Sequence, residues 1–575
     1  MSVRVWAPKA EKVELETGGR RWDMRPAQGG WWQIEFELPF NADYAFCLDG
    51  GPPRPDPRAQ YQPRGLSGPS QRIDHSGFQW DDSRWQAPPL PAAVIYELHV
   101  GTFTPAGTFD AIVDKLPHLV DLGVTHVELM PVNEFPGRRG WGYDNVDVFA
   151  VHHAYGGPEA LKRLVAACHR VGLAVLIDVV YNHMGPVGNY LNEFGPYFSD
   201  RHSTPWGQAV NFDGPQSDEV RRFFIDNALM WLKDYHADGL RLDAIHAIVD
   251  TSAIPFLEQL ATEVSDFSAH LGRHLVLIAE SDLNDPRVVR SREIGGFGYD
   301  AQWSDDFHHA LHTVLTGERE GYYADFGDLS DLANALRHGF VYAGRHSDFR
   351  GRQHGRATPG VSGRRFLGYL QTHDQIGNRA QGDRSSHLLS KGRLKIGAAL
   401  VLTSPFTPML FQGEEWAAIS PFQFFTDFDD PQLAKAVREG RRQEFAAFGW
   451  SPEEIPDPQD PATFERSKLK WDELGSPPHR ELFDWHKKLI ALRRQESALT
   501  DGRLERVELD FDEQSRWLVL RRGGVTVACN LAERPQCVPI GADRPRSVRL
   551  ASEPQIALAE AGVELPPDSV VVLGE

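Results

Sequence analysis

Residues 174–183 read AVLIDVVYNH, an apolar run built around one carboxylate, Asp178, and closed by Asn182 and His183. A run of this kind between longer helix-like segments implies a parallel strand joined to its neighbours by helical crossovers. Working outward, the same pattern recurs at 93–100 (AVIYELHV), 126–132 (HVELMPV), 239–245 (GLRLDAI), 274–280 (HLVLIAE), more weakly around 299–303, at 366–374 (FLGYLQTHD) and at 407–414 (TPMLFQGE). Helix-like stretches such as 158–171 and 217–235 lie between the runs. Eight β/α units spread over roughly 400 residues fit a closed (β/α)8 TIM barrel with insertions. An open doubly wound sheet is the competitor, but no GxGxxG follows any of these runs, so its usual dinucleotide site is missing.

On the N-terminal side, short polar–apolar alternations separated by Gly and Pro suggest an antiparallel β-sandwich. The Pro-rich stretch 51–63 and Trp85-Gln86-Ala87-Pro88-Pro89 read as a linker. After the barrel the pattern returns to short β runs such as 517–520 and 525–528. The expected division is a sandwich at 1–88, a barrel at 89–495 with a short insertion near 184–217, and a small β-sheet domain at 496–575.

The 575 residues exceed what one core usually serves. Lys plus Arg number 60 against 80 Asp plus Glu, a formal charge of −20, which argues against nucleic acid and against an anionic membrane surface as partners. Cys47, Cys168, Cys529 and Cys537 form no CxxC pair, so neither a thiolate metal site nor a disulfide framework is expected. The opening MSVRVWAPKAEKVELE has no apolar core of a secretory signal. The stretch 396–411 is broken by Thr403, Ser404, Pro405, Thr407 and Pro408 and is too short to span a bilayer. A cytoplasmic monomer is expected.

Working residues of a β/α barrel come from the C-terminal ends of its strands. Here four strand ends carry carboxylates: Asp178, Asp243, Glu280 and Asp374, with His183, His373 and Arg241 beside them. Side chains alternate along a strand, so Arg241 and Asp243 share a face, and a guanidinium there keeps Asp243 ionised. Asp178 is a partner for Arg241, either as a structural ion pair or as part of the site. Glu280 closes the apolar run LVLIA, which raises its pKa. One ionised and one protonated carboxyl is what glycosidic cleavage requires, at a separation of about 5–5.5 Å in a retaining enzyme.

RLDAIH (241–246), AES (279–281), THDQ (372–375) and DVVYNH (178–183) resemble the four signature regions of the α-amylase family of glycoside hydrolases, in the family's order. The resemblance runs from about residue 90 to the end, and the N-terminal sandwich resembles the starch-binding-like module of branching and debranching enzymes. It implies Asp243 as nucleophile, Glu280 as general acid/base and Asp374 as the carboxylate that stabilises an oxocarbenium-like transition state. It implies also that His183 and His373 bond sugar hydroxyls and that Arg241 fixes the nucleophile. YELHVGTF (96–103), AESDLNDPR (279–287), WSDDFHHALH (303–312), HDQIGNRAQGDR (373–384) and QGEEWAAISPFQFFTDF (412–428) resemble one branch of the family. Its members hydrolyse the α-1,4 bond beside the terminal trehalose unit of maltooligosyltrehalose, with retention, releasing trehalose. Maltooligosyltrehalose and related α-1,4-glucans are thus the implied partners. Tyr143, His246, Trp303, Asp305, Asp306, Phe307, His308, Gln375, Asn378, Arg379 and Trp416 join the expected substrate-binding set.

Trp141, Tyr143, Trp206, Trp303, Phe307, Trp416, Phe422, Phe424 and Phe425 lie near strand ends, where flat rings can stack on glucose, although core packing is the commoner use of an aromatic. His308 and His312, four apart near Asp305, are read as hydrogen-bonding residues or a solvated helix face rather than metal ligands. Many family members bind calcium near the equivalent of Asn182. The insertion here offers Glu193, Asp200 and Asp213 without a DxDxDG loop, so no obligatory metal and no cofactor are expected, and Asn182 is assigned to supporting hydrogen bonds. Asp427, Asp429 and Asp430 read as a solvated loop. Two other functions compete: a glucan branching enzyme, which shares the motifs and the N-terminal module, and an inactive carbohydrate-binding barrel, against which the three intact carboxylates argue.

Overall fold

In the computed structural model, residues 2–446, 450–541, 547–560 and 562–574 are described. Eight strands, β1 (Ile95–Leu98), β2 (His126–Leu129), β3 (Ala174–Val179), β4 (Gly239–Leu242), β5 (Val276–Ala279), β6 (Ala301–Trp303), β7 (Phe366–Gly368) and β8 (Thr407–Phe411), close into a barrel in sequence order. Every adjacent pair is parallel. Strand register sets the interior chemistry. Glu97 on β1 lies opposite Glu128 on β2, and Asp178 on β3 lies opposite Arg241 on β4. Those four side chains are buried among Ile, Leu and Val neighbours, so each demands a partner or a proton.

Helices α1 (Gly157–Arg170), α2 (Ser217–Asp234), α3 (Phe256–Leu271), α4 (Asp305–Thr316), α5 (Lys391–Thr403), α6 (Pro431–Ala446) and α7 (Pro477–Gln495) are the longer crossovers and flanking helices. Their ends follow local rules. In α4 the Ser304 side chain accepts from the Phe307 N–H, Asp305 and Asp306 occupy the first turn, and Gly317, with φ +83°, ends the helix. Strand β7 is shorter than the 366–374 run suggested. Thr372 caps a short helix, His373–Gly377, by accepting from the Gln375 N–H, and this cap takes His373 and Asp374 off the strand.

The N-terminal part forms two antiparallel sheets, one of Ser2–Trp6, Trp31–Glu35 and Arg25–Pro26, the other centred on Val13–Thr17 and Asp43–Leu48. Residues 51–63 and 75–89 are not a free tether. Gln62 is fully buried against Asp147 at 3.1 Å, and Arg58 pairs with Asp226 of α2 at 2.8 Å. Asp82 accepts from His169 (2.8 Å) and His236 (2.8 Å), and the Trp85 indole donates to Asp238 (2.8 Å). A Pro-rich composition signals irregular backbone, and here that backbone is pinned by polar side chains along its length. The C-terminal part holds a five-stranded sheet (Val507–Asp512, Trp517–Arg522, Val525–Asn530, Ser569–Gly574, Ser547–Ala551) and a three-stranded one. Among the described residues no helix is long and apolar enough to cross a membrane.

Candidate active site

Arg241 organises the C-terminal mouth of the barrel. Its Nη1 donates to both oxygens of Asp178 (2.9 Å each) and to Asp243 Oδ1 (2.9 Å), while Nη2 lies 2.9 Å from Glu280 Oε2. The guanidinium rests on the face of Trp303, 4.4 Å from the ring centroid. Asp243 and Glu280 are the residues immediately beyond β4 and β5, so both strands deliver a carboxylate to one cation. Between Asp243 and the next turn, Ala244 adopts φ +38°, ψ 51°, a left-handed conformation that costs a non-glycine residue about 1–2 kcal/mol. That strained peptide directs the Ala244 N–H onto Glu280 Oε2 at 2.7 Å. Asn182 donates to Asp243 Oδ2 (2.7 Å) and to its carbonyl (2.9 Å), and bonds His183 through its own Oδ1. His183 Nε2 meets the Tyr143 carbonyl at 3.0 Å.

The third acid enters from β7. His373 is fixed by Glu97, which bonds both its ring Nδ1 and its backbone N–H, and Asp374 Oδ1 lies 3.6 Å from His373 Nε2. Tyr143 stacks on the His373 ring at 5.0 Å and donates to Asp178 at 2.6 Å. Asn378 Nδ2 reaches Asp374 Oδ1 at 3.2 Å. Asp178, Arg241, Asp243, Glu280, His183, Tyr143, His373 and Asp374 therefore form one connected constellation, with Asp374 the most open of the three strand-end acids at 38% side-chain exposure.

Electrostatics separates the two innermost acids. Burial raises the pKa of Asp243, but the Arg241 charge, His183 and the Asn182 hydrogen bond outweigh it and leave Asp243 below the usual aspartate value. Burial also raises Glu280, and although Arg241 opposes it, Asp243, Asp374 and Asp305 add to it and hold Glu280 well above the usual glutamate value. For Asp178 burial prevails over Arg241, and its pKa rises to about 6. Burial lowers His373, yet Glu97 and Asp374 more than reverse this, raising it to about 9, so the ring is an imidazolium at neutral pH.

The remaining expected residues divide. Asp305 accepts from Tyr369 at 2.6 Å, and burial with the charges of Asp282, Asp374 and Asp306 raises it to about 7. His246 is exposed, 3.9 Å from Asp282. Gln375 is half-buried, and Arg379 forks onto Glu318 at 2.8 Å twice. Asp306, Phe307, His308 and Trp416 do not reach the opening. Asp306 accepts from Asn284 and from the Val341 and Tyr342 N–H groups, which ties down that loop. Phe307 is fully buried against Phe406. His308 lies beneath Tyr369 and bonds Tyr323, and Trp416 is sealed against His118 and Trp471. Trp303, 1% exposed, is a floor for Arg241 rather than a sugar platform. Motif adjacency drew these side chains into the expected set, but helical periodicity turns Phe307 and His308 away from the mouth. Reading the runs missed Glu97 and Tyr369. Glu97 was legible as the one carboxylate inside AVIYELHV, whereas nothing local marks Tyr369 as the anchor of Asp305.

For a metal, Asn182 is committed to Asp243, Glu193 is forked by Arg54 (2.7 Å twice) and Asp213 bonds Arg201, His202 and Thr251. His312 bonds Glu318 at 2.8 Å. Among the described residues one cluster, Glu134, His152 and His153, brings ligand-type atoms within 4.8 Å of one another. Within it, His153 Nδ1 lies 2.7 Å from Glu134 Oε1 and the His153 N–H lies 2.9 Å from Oε2, so the carboxylate is already closed by His153. Asp427, read as solvated, holds the Arg138 N–H at 2.8 Å and pairs with Arg139.

Residues 74–204 match the family described as Alpha amylase, catalytic domain, and residues 502–572 match a Domain of unknown function (DUF3459). The Malto-oligosyltrehalose trehalohydrolase of Mycobacterium tuberculosis (strain CDC 1551 / Oshkosh) is 53% identical over 546 residues, 94% of each chain. That of Rhizobium sp. (strain M-11) is 48% identical over 99% of this chain and 97% of its own. A 1,4-alpha-glucan branching enzyme of Bacillus caldolyticus is only 28% identical, over 77% of this chain and 69% of its own. The crystal structure of a Salmonella typhimurium protein assigned to the alpha amylases superposes with a TM-score of 0.91 at 37% identity, covering 100% of this chain and 97% of that one. With that identity sustained along nearly its full length, the chain belongs to the malto-oligosyltrehalose trehalohydrolases of the α-amylase family of glycoside hydrolases.

Proposed function

We propose that the chain hydrolyses the α-1,4-glucosidic bond beside the terminal trehalose unit of maltooligosyltrehalose, with retention of configuration, and releases trehalose. Asp243, ionised, attacks the anomeric carbon of the glucose next to the trehalose unit. Glu280, protonated, gives its proton to the glycosidic oxygen, and trehalose leaves with it. The maltooligosyl chain is then an ester of Asp243. Water enters, loses a proton to the Glu280 carboxylate and displaces Asp243, so both acids return to their starting states. Asp374 faces the positive charge that develops on the sugar ring between these steps. The His373 imidazolium donates to a sugar hydroxyl, whereas His183, its ring nitrogens facing Asn182 Oδ1 and the Tyr143 carbonyl, holds Asn182 against Asp243.

The observation that carries this reading is the sharing of Arg241. One guanidinium holds Asp243 on one nitrogen and Glu280 on the other, while their surroundings push the two pKa values apart. Maltooligosyltrehalose incubated beside a plain maltooligosaccharide of equal length is the test. Trehalose released from the first, at a rate well above cleavage of the second, is the expected result. Chain rearrangement without trehalose would identify a branching transferase, and no turnover of either would identify an inactive binding protein.

A further inference from the structure

At the opposite end of the barrel, a cavity of about 610 Å³ opens where the barrel meets the C-terminal sheet. Three segments line it: 362–364, just before β7; 497–506, which leaves α7; and 522–523, the turn after the strand Trp517–Arg522. The lining contains four arginines, Arg364, Arg503, Arg506 and Arg522, against one carboxylate, Asp501, in a chain whose overall charge is −20.

That carboxylate is committed. Arg503 forks onto Asp501 through Nε at 2.9 and 3.0 Å, with Arg506 3.7 Å away. Arg522 is 4% exposed and spends its N–H groups on backbone carbonyls: Thr403 (2.9 Å), Ser404 (2.6 Å), Leu499 (3.0 Å) and Asp501. Arg364 donates through Nε to the Thr500 carbonyl at 2.7 Å. Among the described residues neither Arg364 nor Arg522 has an ion-pair partner. Behind them Arg493, 2% exposed, also bonds carbonyls, those of Leu402, Ser404 and Phe406. Carbonyl dipoles orient these cations without cancelling their charge: burial with repulsion from Arg522 and Arg364 lowers Arg493 to about 9, and burial lowers Arg522 to about 10, with Arg364 adding to it and the Asp501 charge opposing it only in part.

We propose that this cavity binds the phosphate group of a small phosphorylated, hydroxylated metabolite. Guanidinium forks match phosphate oxygens in pairs, and a doubly negative group supplies the counter-charge that the cluster lacks. The volume is that of a small-molecule site rather than of one oxyanion. Ser362 and Thr500 lie on its wall with their hydroxyls, and among the described residues no aromatic side chain lines it to stack a nucleobase, which favours a sugar phosphate over a nucleotide. Bound there, the ligand touches barrel, α7 exit and C-terminal sheet at once and stabilises their junction.

Calorimetric titration of the full chain with inorganic phosphate and with glucose 6-phosphate, at an ionic strength held constant by chloride, tests the site. Saturable binding of glucose 6-phosphate is expected, tighter than phosphate and accompanied by a rise in Tm. Arg364→Gln and Arg506→Gln, both partly solvent-exposed and remote from the active site, are each expected to weaken it at least tenfold while ligand-free Tm and trehalose release stay unchanged. Equal, saturable, Arg364-dependent binding of the two probes would uphold the anion site and assign it to free phosphate. No saturable binding of either, or binding indifferent to both substitutions, would overturn it.

Discussion

Arg241 binds three carboxylates, and each behaves differently because each has different further neighbours. Asp178 also accepts from Tyr143, Asp243 gains Asn182, and Glu280 gains, among the described residues, the Ala244 N–H as its one further donor while facing other acids. Asp243→Asn and Glu280→Gln are each expected to reduce kcat on maltooligosyltrehalose by about 10³-fold or more. Their Tm should stay close to the parent's, because Arg241 keeps two carboxylate partners in either variant. Steady-state rates and thermal melts check both halves. The pH profile of kcat/KM should be bell-shaped. As pH falls, Asp243 takes up a proton and attack fails; as pH rises, Glu280 loses its proton and the leaving oxygen goes unprotonated. Since Asp243 lies below its ordinary value and Glu280 well above its own, the acid limb should fall below the ordinary aspartate value and the alkaline limb well above the ordinary glutamate value. An optimum confined below pH 4 would contradict this ordering. The Arg241–Asp178 pair was legible from the alternation of side chains on two runs. The bond from Ala244 to Glu280 was not, because it depends on a left-handed residue that no composition rule places there.

At the scale of elements, the segment 75–89 shows what the sequence left hidden. Its tryptophans stack on barrel histidines, Trp80 on His236 at 3.8 Å and Trp85 on His169 at 4.5 Å. His169 lies between Asp82 (2.8 Å) and Asp238 (3.0 Å), one carboxylate on each ring nitrogen, so the buried ring is held as an imidazolium. Burial lowers its pKa, but the two carboxylates reverse this and raise it above the ordinary histidine value. A raised folded-state pKa gives stability that is complete below the unfolded value of about 6.5 and is lost as pH climbs through the folded one. The parent chain is therefore expected to lose part of its stability as pH rises above about 6.5. His169→Gln should cost about 3 kcal/mol at pH 6 and flatten that loss. Denaturant melts of both chains at several pH values would show it, and parallel pH dependences would refute the latch. Pro and Trp in this stretch suggested a tether because pairing between distant polar side chains leaves no local signature.

Over the whole molecule, the strand runs and their strand-end acids announced the barrel, because a closed parallel sheet imposes apolar runs and gathers exceptions such as Asp178 and Glu280 at one mouth. Less legible were the places where a motif residue turns inward: Phe307 and Trp416 sit beside signature stretches yet pack into the core. The N-terminal sheets, pinned through Arg58–Asp226, Gln62–Asp147 and the His169 latch, are expected to unfold together with the barrel. Scanning calorimetry of the full chain should then show no separate low-temperature transition for residues 2–88. The most direct measurement of the proposed chemistry is time-resolved proton NMR of maltooligosyltrehalose cleavage. Trehalose should accumulate in step with a new reducing end whose first-formed anomer is α, as attack by Asp243 followed by water requires. A β anomer appearing first, or a new reducing end without trehalose, would contradict the roles assigned to Asp243 and Glu280.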